Sequence, residues 1–265
     1  MFGYFSNAIS FGQRPQIGVQ ITGSNLVSLI PPATIWYDFS SNASGYVSPT
    51  NVASGNAITA ASDRTGKAHP TTSKGGTVNW LANASGTNGA ANTGTAGGYL
   101  NTPSTSYLRG IAGMTVIIVA KPTTAMTTGY LCNTDQGDLA IYLSGSGANL
   151  TWTVKCSGGT GVPVTATGLT LNTWQVFSFV FNGAGSGNAN RLRFRYNKAD
   201  VPLNISGTVA ATANSSNDNY VWFSSDSSTS NPFKGQIGEV LLFNAALGPG
   251  QVSAVEQYLG SKWGA

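Results

Sequence analysis

Apolar and polar positions alternate along much of the chain, and the alternation predicts strands. The strictest case is RLRFRYNK, residues 191–198, where Leu192, Phe194 and Tyr196 fall on one side and Arg191, Arg193 and Arg195 on the other. A period of two is that of a half-buried strand. DLAIYL (138–143) and LTWTVKC (150–156) alternate nearly as well, and Gly-Ser-Gly between them supplies a hairpin turn. MTVIIVAKP (114–122) is continuously apolar and β-branched, which suits a central strand buried on both faces. WQVFSFVFN (174–182) sets Val176, Ser178 and Val180 on one face, with enough aromatics to cover both faces near its start. TIWYDF (34–39), TVNWL (77–81), YVWFSS (220–225) and GQIGEVLLF (235–243) complete the series, NKAD (197–200) reads as a turn, and Ser40–Gly98 is otherwise rich in loops.

The two ends differ from the middle. Val252, Val255 and Leu259 recur at i, i+3 and i+7, one stripe of a short helix with Pro249 in its first turn and Gly260 as its left-handed stop. Residues 1–31 carry Phe2, Tyr4, Phe5, Ile9 and Phe11 without sustained periodicity and end at Pro31-Pro32. They read as an arm that packs on its own domain or on a neighbouring subunit, ahead of a domain spanning 32–265. The whole is therefore all-β with one C-terminal helix. No 20–50-residue repeat and no strand–helix alternation is visible.

Composition narrows the function. Charged residues make up 8% of the chain, against roughly a quarter in ordinary soluble proteins. Hydroxyls and amides therefore wet the surface. Disorder is excluded by 41% hydrophobic and 10% aromatic residues. The net charge of +4 is scattered, so nucleic acid is not an expected partner. No apolar run is long enough to span a membrane. MFGYFSNAISFGQRPQ lacks the basic and apolar regions of a classical signal peptide. The expectation is assembly inside a cell or a leader already removed. Cys132 and Cys156 end strand-like runs, either as free, partly buried thiols or as a disulfide across a sheet.

Candidate chemistry is sparse. Glycoside hydrolysis needs two facing carboxylates, yet the chain has only two glutamates, Glu239 and Glu256. Around Glu239 the same-face positions are Ile237 and Leu241. His69 is the only histidine, and a nucleophilic triad would have to pair it with Asp63 or Asp38. Asn133, Asp135 and Asp138 in NTDQGDL offer a weak oxygen-rich turn for calcium. No Cys/His cluster suits zinc, and no cofactor is expected. Trp80, Tyr99, Trp152 and Trp222 are candidate sugar-stacking platforms, with core packing as the commoner use of such residues. Arg191, Arg193 and Arg195 form a ridge that is either a solvated outer face or a contact for an acidic neighbour or anionic glycan.

FKGQIGEVLLFNAALGPGQVSAVEQYLGSKWG (233–264) resembles the closing strand and helix of laminin-G-like members of the concanavalin A-like lectin/glucanase superfamily. PPATIWYDFS, ASDRTGKAHP, GGYLNTPS, MTVIIVAKP, NTWQVFSFVFN and RLRFRYNK are similar to its earlier landmarks, so the resemblance covers roughly 32–264. It implies two antiparallel sheets in a jelly-roll sandwich, one of them concave. It also implies that Glu239 is structural, bonded to backbone or to a Tyr or Trp donor. The hydrolase motif Glu-x-Asp-x-x-Glu is not present.

The expectation from these observations is a non-enzymatic structural or adhesion component of a virus particle, such as a phage capsid decoration or fibre-like part. The alternative is a secreted bacterial carbohydrate-binding module. The contacts of the virion component would be Phe2, Tyr4, Phe5, Phe11 and the three arginines. Its partners would be other virion proteins or further copies of itself, and surface glycans.

Overall fold

A computed structural model describes residues 31–265 except 44, 68, 95–97, 104–105, 125, 135–138, 146–150, 157–160, 166–169, 206, 214–219 and 225–230. The first half of the domain holds β1 (Ile35–Asp38), β2 (Val47–Ser48), β3 (Ala57–Ile58), β4 (Ala60–Ala61), β5 (Thr71–Gly75), β6 (Val78–Ser85), β7 (Asn88–Asn92) and β8 (Tyr99–Pro103). Next come β9 (Gly113–Pro122), β10 (Met126–Thr134), β11 (Leu139–Gly145), β12 (Thr151–Cys156) and β13 (Gly161–Thr165). The last strands are β14 (Gln175–Asn182), β15 (Leu192–Tyr196), β16 (Ala199–Val201), β17 (Tyr220–Phe223) and β18 (Gly235–Phe243). In part of β5, β8, β10–β13 and β17 the description is confined to the backbone.

Two nine-stranded sheets result. The first runs β16-β15-β14-β9-β18-β7-β6-β3, with β1 also paired to β18; the second runs β13-β12-β11-β10-β17-β8-β5-β4-β2. All strand pairs are antiparallel. The arrangement is the sandwich that the resemblance implies.

The first sheet is buried on both faces. Toward the second sheet it turns Val116, Ile118, Phe177, Phe179, Phe194, Val240 and Leu242. Away from it, Ile117, Val119, Val176, Val180, Leu241 and Phe243 pack under the C-terminal helix. That two-sided burial is why β9 reads as an unbroken apolar run and β14 carries large residues at both parities. In the second sheet Leu100, Phe223, Cys132 and Ile141 pair in one cross-strand row that closes the core. Cys132 lies inside β10, which continues past it to Thr134, and is a free thiol whose pKa burial pushes up.

Ser40–Gly98 holds more strand than the sequence suggests. β2, β3 and β4 are two residues each, and β7 is Asn-Gly-Ala-Ala-Asn. Small residues leave no hydrophobic alternation to read. Gly89 is one reason for them: a Cβ there would meet the Trp80 ring at 2.2 Å. Trp80 is held in turn by its indole N–H on the Phe39 carbonyl at 3.1 Å. Gly89→Ala is expected to lower stability by about 1–3 kcal/mol, read as an earlier urea midpoint at unchanged slope. A midpoint equal to that of the parent chain would show that Trp80 yields freely.

The helix spans Pro249–Trp263 and buries Val252, Val255 and Leu259 as the stripe predicts. Its stop is not Gly260. The helix continues to Gly264, whose φ of 70° and N–H bonded to the Gly260 carbonyl form the left-handed end. Gly260 is a packing residue instead, since a Cβ there would lie 2.5 Å from Lys198 Nζ and 2.8 Å from the Ala265 carbonyl.

Candidate functional site

Glu239 is 0% exposed and lies where β1, β18 and the helix meet. It accepts hydrogen bonds from Trp36 Nε1 at 2.9 Å, Trp263 Nε1 at 3.0 Å and the Tyr258 hydroxyl at 3.1 Å. Lys262 Nζ completes the set at 2.6 Å. Burial first, and then the neighbouring Asp38 charge, push its carboxyl pKa up, opposed by Lys262 and the Trp263 donor. Such a residue anchors the helix to the sheet through Tyr and Trp donors.

Its immediate surroundings differ from the sequence-based expectation. The register with β9 slips between Ile237 and Glu239, so Gly238 is a bulge. Ile237 therefore faces the inner core while Glu239 and Leu241 face the helix. Gly238 is required there, because a Cβ would sit 2.7 Å from the Trp263 ring.

A second carboxylate does approach. Asp38 pairs directly with Glu239 across the β1–β18 ladder, and Lys262 Nζ lies 2.9 Å from its Oδ2. Arg64 also binds that oxygen, at 2.5 Å, while its guanidinium packs over the Tyr46 and Trp36 rings. Two acids converge, as sugar hydrolysis requires, but they converge on an ammonium. Both side chains are 0% exposed. Two acids against two bases make a neutral, closed cluster with no room for a glycosidic oxygen.

His69 does meet Asp63, Nδ1 to Oδ2 at 3.1 Å. Asp63 also accepts from the Trp36 and Thr65 backbone N–H groups and the Thr65 hydroxyl, so it clamps the loop that carries His69. Tyr37 donates its hydroxyl to the His69 carbonyl, and the His69 imidazole sits edge-on to the Tyr107 ring. Among the described residues no hydroxyl is hydrogen-bonded to the imidazole, so the third member of a triad is not in place.

The three arginines are each bonded to partners within the same domain. Arg191 donates to the carbonyls of Gly185 and Val209. Arg193 forms a two-pronged pair with Asp200 at 2.7 and 3.1 Å, which holds the Asp200 carboxyl below the usual range. Arg195 binds the buried Glu256 of the helix at 2.9 Å, and Ser178 donates to the same carboxylate at 2.8 Å. The arginine side of β15 is thus tied to the helix and the β16 turn. Sequence spacing shows the ridge but not what lies over it.

Other predicted contacts separate. Asn133 is buried in β10, while Asp135 and Asp138 lie outside the described residues, as do Phe2, Tyr4, Phe5 and Phe11. Among the described residues no group of three potential ligands could hold a metal. Trp80 and Tyr99 are core residues. Trp152 and Trp222 are described at the backbone alone.

A position that sequence reasoning missed is Tyr130. Gly129 pairs with Leu143 on the inner side, where a Cβ on Gly129 would strike Met126. Tyr130 therefore lies on the outer side, half-buried. It opens the cross-strand row Tyr130–Tyr142–Thr153–Pro163. A register slip between Tyr130 and Cys132 puts both residues on opposite faces despite their spacing of two. That slip hid the position from the alternation.

The comparisons follow this geometry. Domain 4 of AbnA, an extracellular arabinanase from Geobacillus stearothermophilus solved with arabinotriose, superposes with a TM-score of 0.58 at 18% identity, covering 84% of this chain and 98% of that one. The binding domain of botulinum neurotoxin DC, solved with SialylT, gives 0.55 at 10% identity over 87% of this chain and 52% of that one. The type C neurotoxin structure, described with two ganglioside molecules, gives 0.54 at 10% identity over 86% and 51%. At these identities the likeness is one of fold. No curated protein matches the sequence. The family model of the laminin-G-like type matches residues 92–253, more than half of the chain. With its two-sheet sandwich and closing helix, the chain belongs to the concanavalin A-like lectin/glucanases superfamily.

Proposed function

We propose that the protein is a non-catalytic, lectin-like module that holds an uncharged glycan on the outer face of its second sheet. The observation that carries this is the half-buried Tyr130 on the outer side of β10, a strand whose register sets Tyr142 and then Thr153 opposite it along the sheet. Aromatic faces and neutral hydroxyls are what sugar rings bind. Two further facts support it. All five described carboxylates, Asp38, Asp63, Asp200, Glu239 and Glu256, already accept internal bonds. Two structures of similar fold were solved with glycans bound.

Tyr130→Ala is expected to weaken binding to a matching array glycan about tenfold and to leave the unfolding midpoint nearly unchanged. An array on which the intact chain binds no glycan sinks the function. Unchanged affinity in the variant sinks the face.

The finer role we propose is adhesion from a virus particle, with residues 1–31 as the attachment. The aromatic content of that segment and the small polar residues of the chain support it. A secreted bacterial carbohydrate-binding module is the second setting, supported by the coverage of the arabinanase domain. Co-sedimentation with native particles is expected in the first, and a glycan-binding monomer free of particles in the second.

A further inference from the structure

The outer face of the first sheet changes character at the end of the helix. The helix covers Ile117, Val119, Val176 and Leu241, and Trp263 closes the cover over Gly238. Beyond Trp263 the same face turns polar. Asn79 of β6 pairs with Asn92 of β7, Asn92 with Gln236 of β18, and Gln236 with Lys121 of β9. Their chain neighbours Val78, Ala91, Ile237 and Ala120 belong to the inner core, so alternation puts these four on the outer face. All four are half-buried. They make one cross-strand row of three amides and an ammonium, about 14 Å long at the usual strand spacing.

Lys121 ends the row as a cation that is held but not neutralised. Its Nζ lies 5.2 Å from the centre of the Trp174 ring and 3.5 Å from the Ala84 carbonyl. The Trp174 indole N–H donates to the same carbonyl at 3.1 Å, and its ring packs on Trp263. No ion pair among the described residues includes Lys121, and burial lowers its pKa. On the adjacent strand Gln236 Oε1 is buried with no hydrogen-bond partner among the described residues. Asn92 uses its Oδ1 to accept the Gly94 N–H, which leaves its side-chain N–H groups as donors.

Folded chains rarely keep a buried amide oxygen unpaired, or a partly desolvated ammonium without a counter-charge. Here the two stand side by side, and one kind of ligand satisfies both. It must bring a negative charge and hydroxyl donors together. We infer that the row Asn79–Asn92–Gln236–Lys121 is a binding site for a carboxylate-bearing sugar, with Lys121 Nζ on the carboxylate and the three amides on the hydroxyls. Gln236 turns its oxygen outward to a hydroxyl donor, and the Asn92 amide donates to a hydroxyl oxygen. A single charge suits a single cation, whereas a polyanion needs a dense basic face. The site lies on the sheet opposite Tyr130 and does not depend on the neutral-glycan face.

Titration of the isotope-labelled full chain with D-galacturonate, followed through side-chain amide resonances, tests the site. The signals of Asn79, Asn92 and Gln236 are expected to shift, and D-galactose or acetate at the same concentration to leave them in place. Lys121→Met is expected to weaken galacturonate binding at least about tenfold, the loss of one charge-assisted hydrogen bond. Because the ammonium has no ionic partner in the fold, this variant is expected to unfold no earlier than the parent, which separates lost binding from lost structure. Amide signals unmoved by galacturonate, or undiminished affinity in Lys121→Met, overturn the assignment. Equal shifts with galactose overturn the role of the carboxylate, and equal shifts with acetate overturn the sugar.

Discussion

Lys262→Met is expected to destabilise the protein by about 3–5 kcal/mol, the cost of leaving a buried ion without its partner. Among the described residues Lys262 is the one cation that touches both Asp38 and Glu239. Without it, Arg64 still holds Asp38, but Glu239 keeps a buried charge supported by neutral donors alone. For a chain of this size the loss corresponds to a fall in Tm of about 10 °C. The double variant Lys262→Met with Glu239→Gln removes one charge of each sign, so the cluster stays neutral. Its loss is expected to be well below the sum of the single losses. Additive losses in thermal unfolding would show that the two groups act separately and that the cluster is not a unit.

Trp263→Ala is the second large effect. Trp263 is fully buried, packs on Trp174 with ring centroids 4.7 Å apart, and donates to Glu239. Emptying its site is expected to remove about 3–5 kcal/mol and to expose helix amides over 249–263 to hydrogen exchange before the rest of the fold. Trp263→Phe separates two causes. It restores most of the packing and leaves about 1–3 kcal/mol of loss from the unfilled Glu239 acceptor. If the phenylalanine variant is as stable as the parent, the indole N–H contributes nothing and the helix is held by packing alone.

Both effects depend on contacts between remote positions. Trp36 and Glu239 are 203 positions apart, and Asp38 and Lys262 are 224 apart. In sequence, Glu239 has only Ile237 and Leu241 as same-face neighbours, and neither the bulge at Gly238 nor the strand opposite is visible. The arginines of β15 show the same division. Their alternation places them on one face, but the helix carrying Glu256 and the turn carrying Asp200 decide that the face is tied down. Tyr130 escaped notice because a register slip, set by the pairing of β10 with β11, reverses its side.

What the sequence by itself determined is local and periodic. The strict alternation of β15, the apolar run of β9, the two-sided β14 and the i, i+3, i+7 stripe of the helix follow from side-chain direction along a strand or helix, and together they specify an all-β sandwich with one covering helix. The tertiary structure alone decided which ions meet, where the ladder slips and which sheet face stays clear of the helix. Those outcomes depend on strand pairing between distant segments, where one residue of register exchanges the two faces of a sheet.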